Sequence, residues 1–73
     1  MTEPLPIIVD IAYHAALCSL YVTFEHHGTF TYYAVPPEIH RAFVASRDRE
    51  VFFLDYIADH YFHWKTEPLR QVG

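Results

Sequence analysis

The sequence predicts an α+β domain: a three-stranded antiparallel meander with one or two helices packed on one face, in the order β-β-β-α-α. Three observations lead there. Residues 18–25 and 29–35 both alternate apolar and polar side chains, and a three-residue stretch ending in Gly28 separates them. Pro36-Pro37 then stops the extended pattern, because proline has no N–H to give a ladder. Beyond the prolines the apolar spacing changes from two to three and four, the period of a helix.

Residues 1–6, "MTEPLP", hold two prolines and read as an extended N-terminal arm. "IIVDIAYH", 7–14, is β-branched and forms the first strand, with Asp10 and Ala12 interrupting its apolar face. "AAL", 15–17, is a short connection. In "CSLYVTFE", 18–25, Leu20, Val22 and Phe24 share one face, and Ser19, Tyr21 and Thr23 the other. "HHG", 26–28, is the hairpin loop, with Gly28 the natural place for a positive φ. "TFTYYAV", 29–35, returns with Phe30, Tyr32 and Ala34 on one face and Thr29, Thr31, Tyr33 and Val35 on the other.

Pro37 suits the first turn of a helix, where its missing donor costs little. Over 38–46, Ile39, Ala42 and Phe43 make an apolar stripe, leaving Glu38, Arg41 and Ala45 outward. Asp48 is the expected N-cap of a second helix beginning near 49, with Phe53, Ile57 and Tyr61 at four-residue spacing. That helix either stops near 58–60 or continues; "YFHW", 61–64, fits a short strand equally well, and periodicity does not decide. The domain is expected to span 7–64, with 65–73 as a tail.

Seventy-three residues make one small domain. A single cysteine, Cys18, excludes an internal disulfide and leaves no Cys-based zinc cage. Aromatic residues, 18% of the chain, must then supply the core. No apolar run is long enough to span a bilayer, and the acidic N-terminus is unlike a signal peptide, so the expected location is a reducing cytoplasm. Five Lys plus Arg stand against nine Asp plus Glu, a net charge of −4 with His neutral. That balance disfavours direct contact with a phosphate backbone and suits a basic protein surface.

The chemistry-bearing residues do not assemble into a catalytic pattern. His26-His27 are adjacent in the hairpin, and His60 and His63 could share a helix face with Asp59 or Glu25 nearby, but no HExxH is present. Cys18-Ser19 reads as strand rather than nucleophile elbow, and Asp10 and His14 share a face of strand one without a nucleophile beside them. Two glycines, Gly28 and Gly73, make no phosphate loop. No enzyme activity, metal or cofactor is expected. Tyr21 and Tyr33 on the outer sheet face offer bases a stacking platform, yet the strands carry no Lys or Arg to hold a backbone.

What stands out is six Tyr, six Phe and one Trp beside a single Lys, the composition of a protein interface. Tyr56, Phe62 and Trp64 are the aromatics left over after the core. With Glu38 and Arg41 on the first helix and Glu3, Pro4 and Leu5 of the arm, they form the candidate contact set of a monomer that binds a larger protein.

The order of these pieces resembles the KTSC domain family. Its apolar-Tyr element corresponds to Ile11–Tyr13, its alternating strand to Leu20–Phe24, and its turn to Gly28. Phe30-Thr31-Tyr32 stands for its aromatic-x-Tyr pair, Val35-Pro36 for its Val-Pro, and Ala45-Ser46 for its Ala-x-Ser region, with Arg47 and Asp48 where a glycine is usual. Phe53, Asp55 and Ile57 stand for its last segment, and Ala58 replaces a basic residue there. The resemblance covers roughly residues 10–61. It implies either of two roles. Small acidic phage regulators of similar build imply binding to bacterial RNA polymerase, near the N-terminal part of the β′ subunit, in the host cytoplasm. Such binding would inhibit initiation and permit antitermination. Fusion of such domains to lysyl-tRNA synthetases implies instead an RNA- or tRNA-binding module of translation.

Overall fold

The structure, a computed structural model, describes residues 7–66. β1 (Ile8–His14), β2 (Ser19–Phe24) and β3 (Gly28–Tyr32) form the expected antiparallel meander. Helices α1 (Pro37–Ala45) and α2 (Arg49–Tyr56) follow, and the chain returns as β4 (His63–Thr66), antiparallel to β3. The sheet therefore has four strands in the order β1-β2-β3-β4, with both helices inserted before the last. The fold is α+β, and the fourth strand settles the open reading of "YFHW". It also carries pairing through Lys65 and Thr66, two residues into the stretch expected to be tail. Glu3, Pro4 and Leu5 lie outside the described residues.

Several local expectations shift by a residue or more, each for a backbone reason. Cys18 is not inside a strand: it closes a 3-10 turn over Ala15–Leu17 in a left-handed conformation, φ 52°. Strand β3 ends at Tyr32 rather than Val35 because Ala34 turns the chain at φ 60°. Val35 is thereby swung into the core, and its N–H donates to the Cys18 carbonyl at 2.9 Å.

Helix α1 starts as predicted, with Pro36 as an extended N-cap, Pro37 inside, and Glu38 in the first turn, where its charge suits the helix dipole. Phe43 is buried and Ile39 half-buried, but Ala42, counted in the apolar stripe, is exposed. Asp48 does occupy the N-cap of α2, though its side chain makes no cap bond. The end of α2 is tied off twice. The Ala58 N–H donates to the Phe53 carbonyl at 2.8 Å, and the His60 ring Nε2 donates to the Asp55 carbonyl at 3.0 Å, satisfying a carbonyl left over at the helix terminus.

The strand registers set two faces. Tyr13, Leu20, Tyr32 and His63 lie in one row toward the helices, as do Ile11, Val22, Phe30 and Lys65. Leu20, Val22, Phe24, Tyr32, Val35, Phe43, Phe53 and Ile57 are the buried core. Phe53 sits among its rings, 5.1 Å from Phe24 and 5.4 Å from Tyr32 in edge-to-face contacts, and 6.4 Å from Phe43. Such pairs add to what area burial alone contributes, which matters in a domain with one small core.

Candidate functional site

Among the described residues, no helix lies over the other face of the sheet. The row across its middle is Ala12, Tyr21, Thr31 and Trp64, paired strand to strand. The next row includes Asp10, Thr23 and Thr29, whose two threonine hydroxyls are 2.8 Å apart. Beyond the strand ends, the Tyr33 N–H donates to the Phe62 carbonyl at 2.9 Å, and their rings lie 5.7 Å apart. Phe62 is 70% exposed, Trp64 65% and Tyr33 41%. Thr31, placed on the outer face by alternation, is nonetheless buried, with Tyr21 and Trp64 as its cross-strand partners.

Two of the predicted contact residues, Phe62 and Trp64, thus meet on one surface with Tyr33 and Tyr21. The other described members lie in the helical layer. Glu38 and Arg41 are exposed on α1, and Tyr56, 55% exposed, ends α2 with its ring 4.7 Å from Phe52. The structure divides the set between the two sides of the sheet. Tyr33 was missed as a contact residue because alternation alone treats it as one more outer-face tyrosine; only the return of β4 brings Phe62 beside it.

At the far end of the helix-covered side is a polar knot. The Tyr13 hydroxyl donates to the Val35 carbonyl at 2.6 Å, and its ring stacks on His40 at 4.5 Å, nearly parallel. Desolvation, then hydrogen bonding with the Cys18 thiol, raises the Tyr13 phenol above the ordinary tyrosine value. The knot locks β1 to the Ala34 turn. Tyr32, in the core, is pushed up to about 12, first by burial and then by the Asp59 carboxylate. Both tyrosines work as neutral hydrogen-bonding or packing groups near pH 7.

The histidines fall apart from one another. His60 is in the turn after α2 and His63 in β4, where it stacks on Tyr32 at 5.0 Å, so the two share no helix face. His26 lies 3.8 Å from Glu25 in the exposed hairpin. Among the described residues no three His, Cys, Asp or Glu are grouped to hold a metal ion. Asp10 and His14 are exposed on β1, opposite Thr23 and Ser19.

A four-stranded antiparallel sheet with two helices on one face and a Tyr–Val-Pro lock defines an α+β module. A family profile for the KTSC domain matches residues 7–61, and the chain belongs to that family. The crystal structure of a KTSC domain protein from Yersinia pestis has the same fold: TM-score 0.82, 24% identity, covering 90% of this chain and 92% of that one. No curated protein matches the chain. The shared motif now has a physical meaning. Its apolar-Tyr, alternating strand, Val-Pro and final apolar residues are the core and the Tyr13–Val35 bond, so they are scaffold. The match ends at residue 61, before Phe62 and Trp64.

Proposed function

We propose that the domain is a non-enzymatic protein-binding module that docks through the sheet face turned away from the helices. One observation carries this: Phe62, Trp64 and Tyr33 stand exposed together on a face whose described strand residues include no Lys or Arg. Adjacent exposed aromatics on a monomer mark an interaction site, and Trp and Tyr are the residues that carry most binding energy when desolvated. The net charge of −4 favours a basic partner and speeds encounter with one. The resemblance to small acidic phage regulators makes bacterial RNA polymerase, at the N-terminal part of β′, the first partner to try, with inhibition of initiation and antitermination as the outcome.

Transcription by purified holoenzyme, with and without the protein, tests the reading. The expected result is fewer open complexes and more read-through at an intrinsic terminator. Unchanged initiation together with unchanged termination sinks the polymerase assignment.

The same rings favour a second reading, since an aromatic sheet face also stacks single-stranded bases. An RNA- or tRNA-binding module predicts a salt-sensitive mobility shift with tRNA. Without a basic residue among the described strand residues of that face, the expectation is no shift at low salt, and a shift would exchange the two readings.

A further inference from the structure

A concave feature lies on the helix side of the sheet, at the hairpin end. It is a cleft of about 210 Å³ lined by Phe24, His27, Phe30, Tyr32 and Phe53. Its wall rings meet edge to face: Phe24 with Phe30 at 5.7 Å and 70°, Phe24 with Phe53 at 67°, Tyr32 with Phe53 at 82°. The size decides the occupant. Small-molecule sites begin at about 300 Å³, whereas this space is of the order of one aromatic side chain.

Charge at the rim narrows it further. Lys65 is the cross-strand partner of Phe30, and its stem runs over Gly28, where an added Cβ would touch Lys65 Cε at 3.6 Å. Lys65 thus stands beside Phe30, one of the cleft's lining residues. Among the described residues Lys65 forms no ion pair. Among the described acids, Glu25 lies beside His26, Glu50 accepts from the Ile8 N–H at 3.2 Å, and Asp59 acts on Tyr32. His27 lines the cleft, and His63 stacks on Tyr32.

We infer that this cleft is an anchor pocket for one aromatic side chain of a protein partner whose neighbouring residue is Asp or Glu, the ring entering among Phe24, Phe30, Tyr32 and Phe53 and the carboxylate meeting Lys65. The inference rests on the protein-binding reading and adds a second contact on the opposite side of the sheet from Phe62 and Trp64. An apolar pocket supplies the affinity, and the exposed ammonium supplies the choice of flanking residue.

The test is a titration of the isotope-labelled full chain with the capped dipeptide acetyl-Phe-Asp-amide, followed by amide chemical shifts, with acetyl-Phe-Asn-amide as the neutral control. The expected result is saturable shifts centred on Phe24, Phe30, Tyr32, Phe53 and Lys65. The Asp peptide should bind about two- to fivefold tighter than the Asn peptide, the range of an exposed ion pair. Lys65→Met should abolish that preference; Lys65 is exposed, and the variant's spectrum reports directly that it is folded. No saturable shift, shifts centred on Phe62 and Trp64, or equal affinity for the two peptides overturns the inference. Polymerase is absent from this experiment, so a negative transcription assay and a negative titration reject different statements.

Discussion

Single residues show how a chain without disulfides holds its turns. The Tyr13 hydroxyl and the Val35 N–H both bridge toward the Ala34 turn, one bonding the Val35 carbonyl and the other the Cys18 carbonyl. Tyr13→Phe keeps the ring stacked on His40 and leaves the carbonyl without its donor, so the urea midpoint should fall with the slope unchanged. An unchanged midpoint would mean that water replaces the hydroxyl at no cost. Tyr32 makes a pH prediction. Its phenol titrates near 12 when folded, against about 10 in an unfolded chain. The folded state keeps the proton longer, so the stabilisation is whole below pH 10 and is lost as the pH climbs toward 12. Absorbance of the phenolate should show Tyr32 ionising after the exposed tyrosines, and Tyr32→Phe should flatten the alkaline loss of stability.

Elements show where pattern suffices and where it stops. The hairpin was legible because alternation and Gly28 agree: Gly28 has φ 86°, and Val22 faces Phe30 as an alternating pair must. Gly28→Ala should cost about 1–2 kcal/mol, the penalty of a side chain at positive φ, since the added Cβ makes only an ordinary 3.6 Å contact with Lys65. Chemical denaturation measures it, and Gly28→Asn should lose less, because asparagine tolerates that region. A loss for Asn as large as for Ala would place the cost in packing rather than backbone. The end of β3 was not legible. Nothing local marks Ala34 for φ 60°; that conformation follows from the need to bury Val35 and pair its N–H with Cys18. The same applies to the His60 and His63 pair. Helical spacing places them together, but α2 stops at Tyr56 and β4 claims His63 for the stack on Tyr32.

On the scale of the whole molecule, the sheet separates two kinds of aromatic. Those facing the helices make the core, whereas Tyr33, Phe62 and Trp64 on the other face are exposed. The double variant Phe62→Ser, Trp64→Ser should retain the fold, because both side chains are largely exposed; the proposed docking to polymerase predicts that it binds at least tenfold more weakly, a hot-spot loss above about 1.4 kcal/mol. Surface-immobilised polymerase with the two proteins compared side by side checks it. Equal binding would move the contact to α1, where Glu38 and Arg41 are exposed.

By itself the sequence determined the α+β class, the first three strands, both helix starts, the family and most of the core, because these depend on periods and turn residues that act over a few positions. The tertiary structure alone decided that residues 63–66 would be a strand. A four-residue segment has no period long enough to declare itself, and its pairing depends on β3 presenting a free edge after two helices have brought the chain back. That one pairing joins Phe62 to Tyr33, sets Trp64 beside Thr31 and carries Lys65 over Gly28.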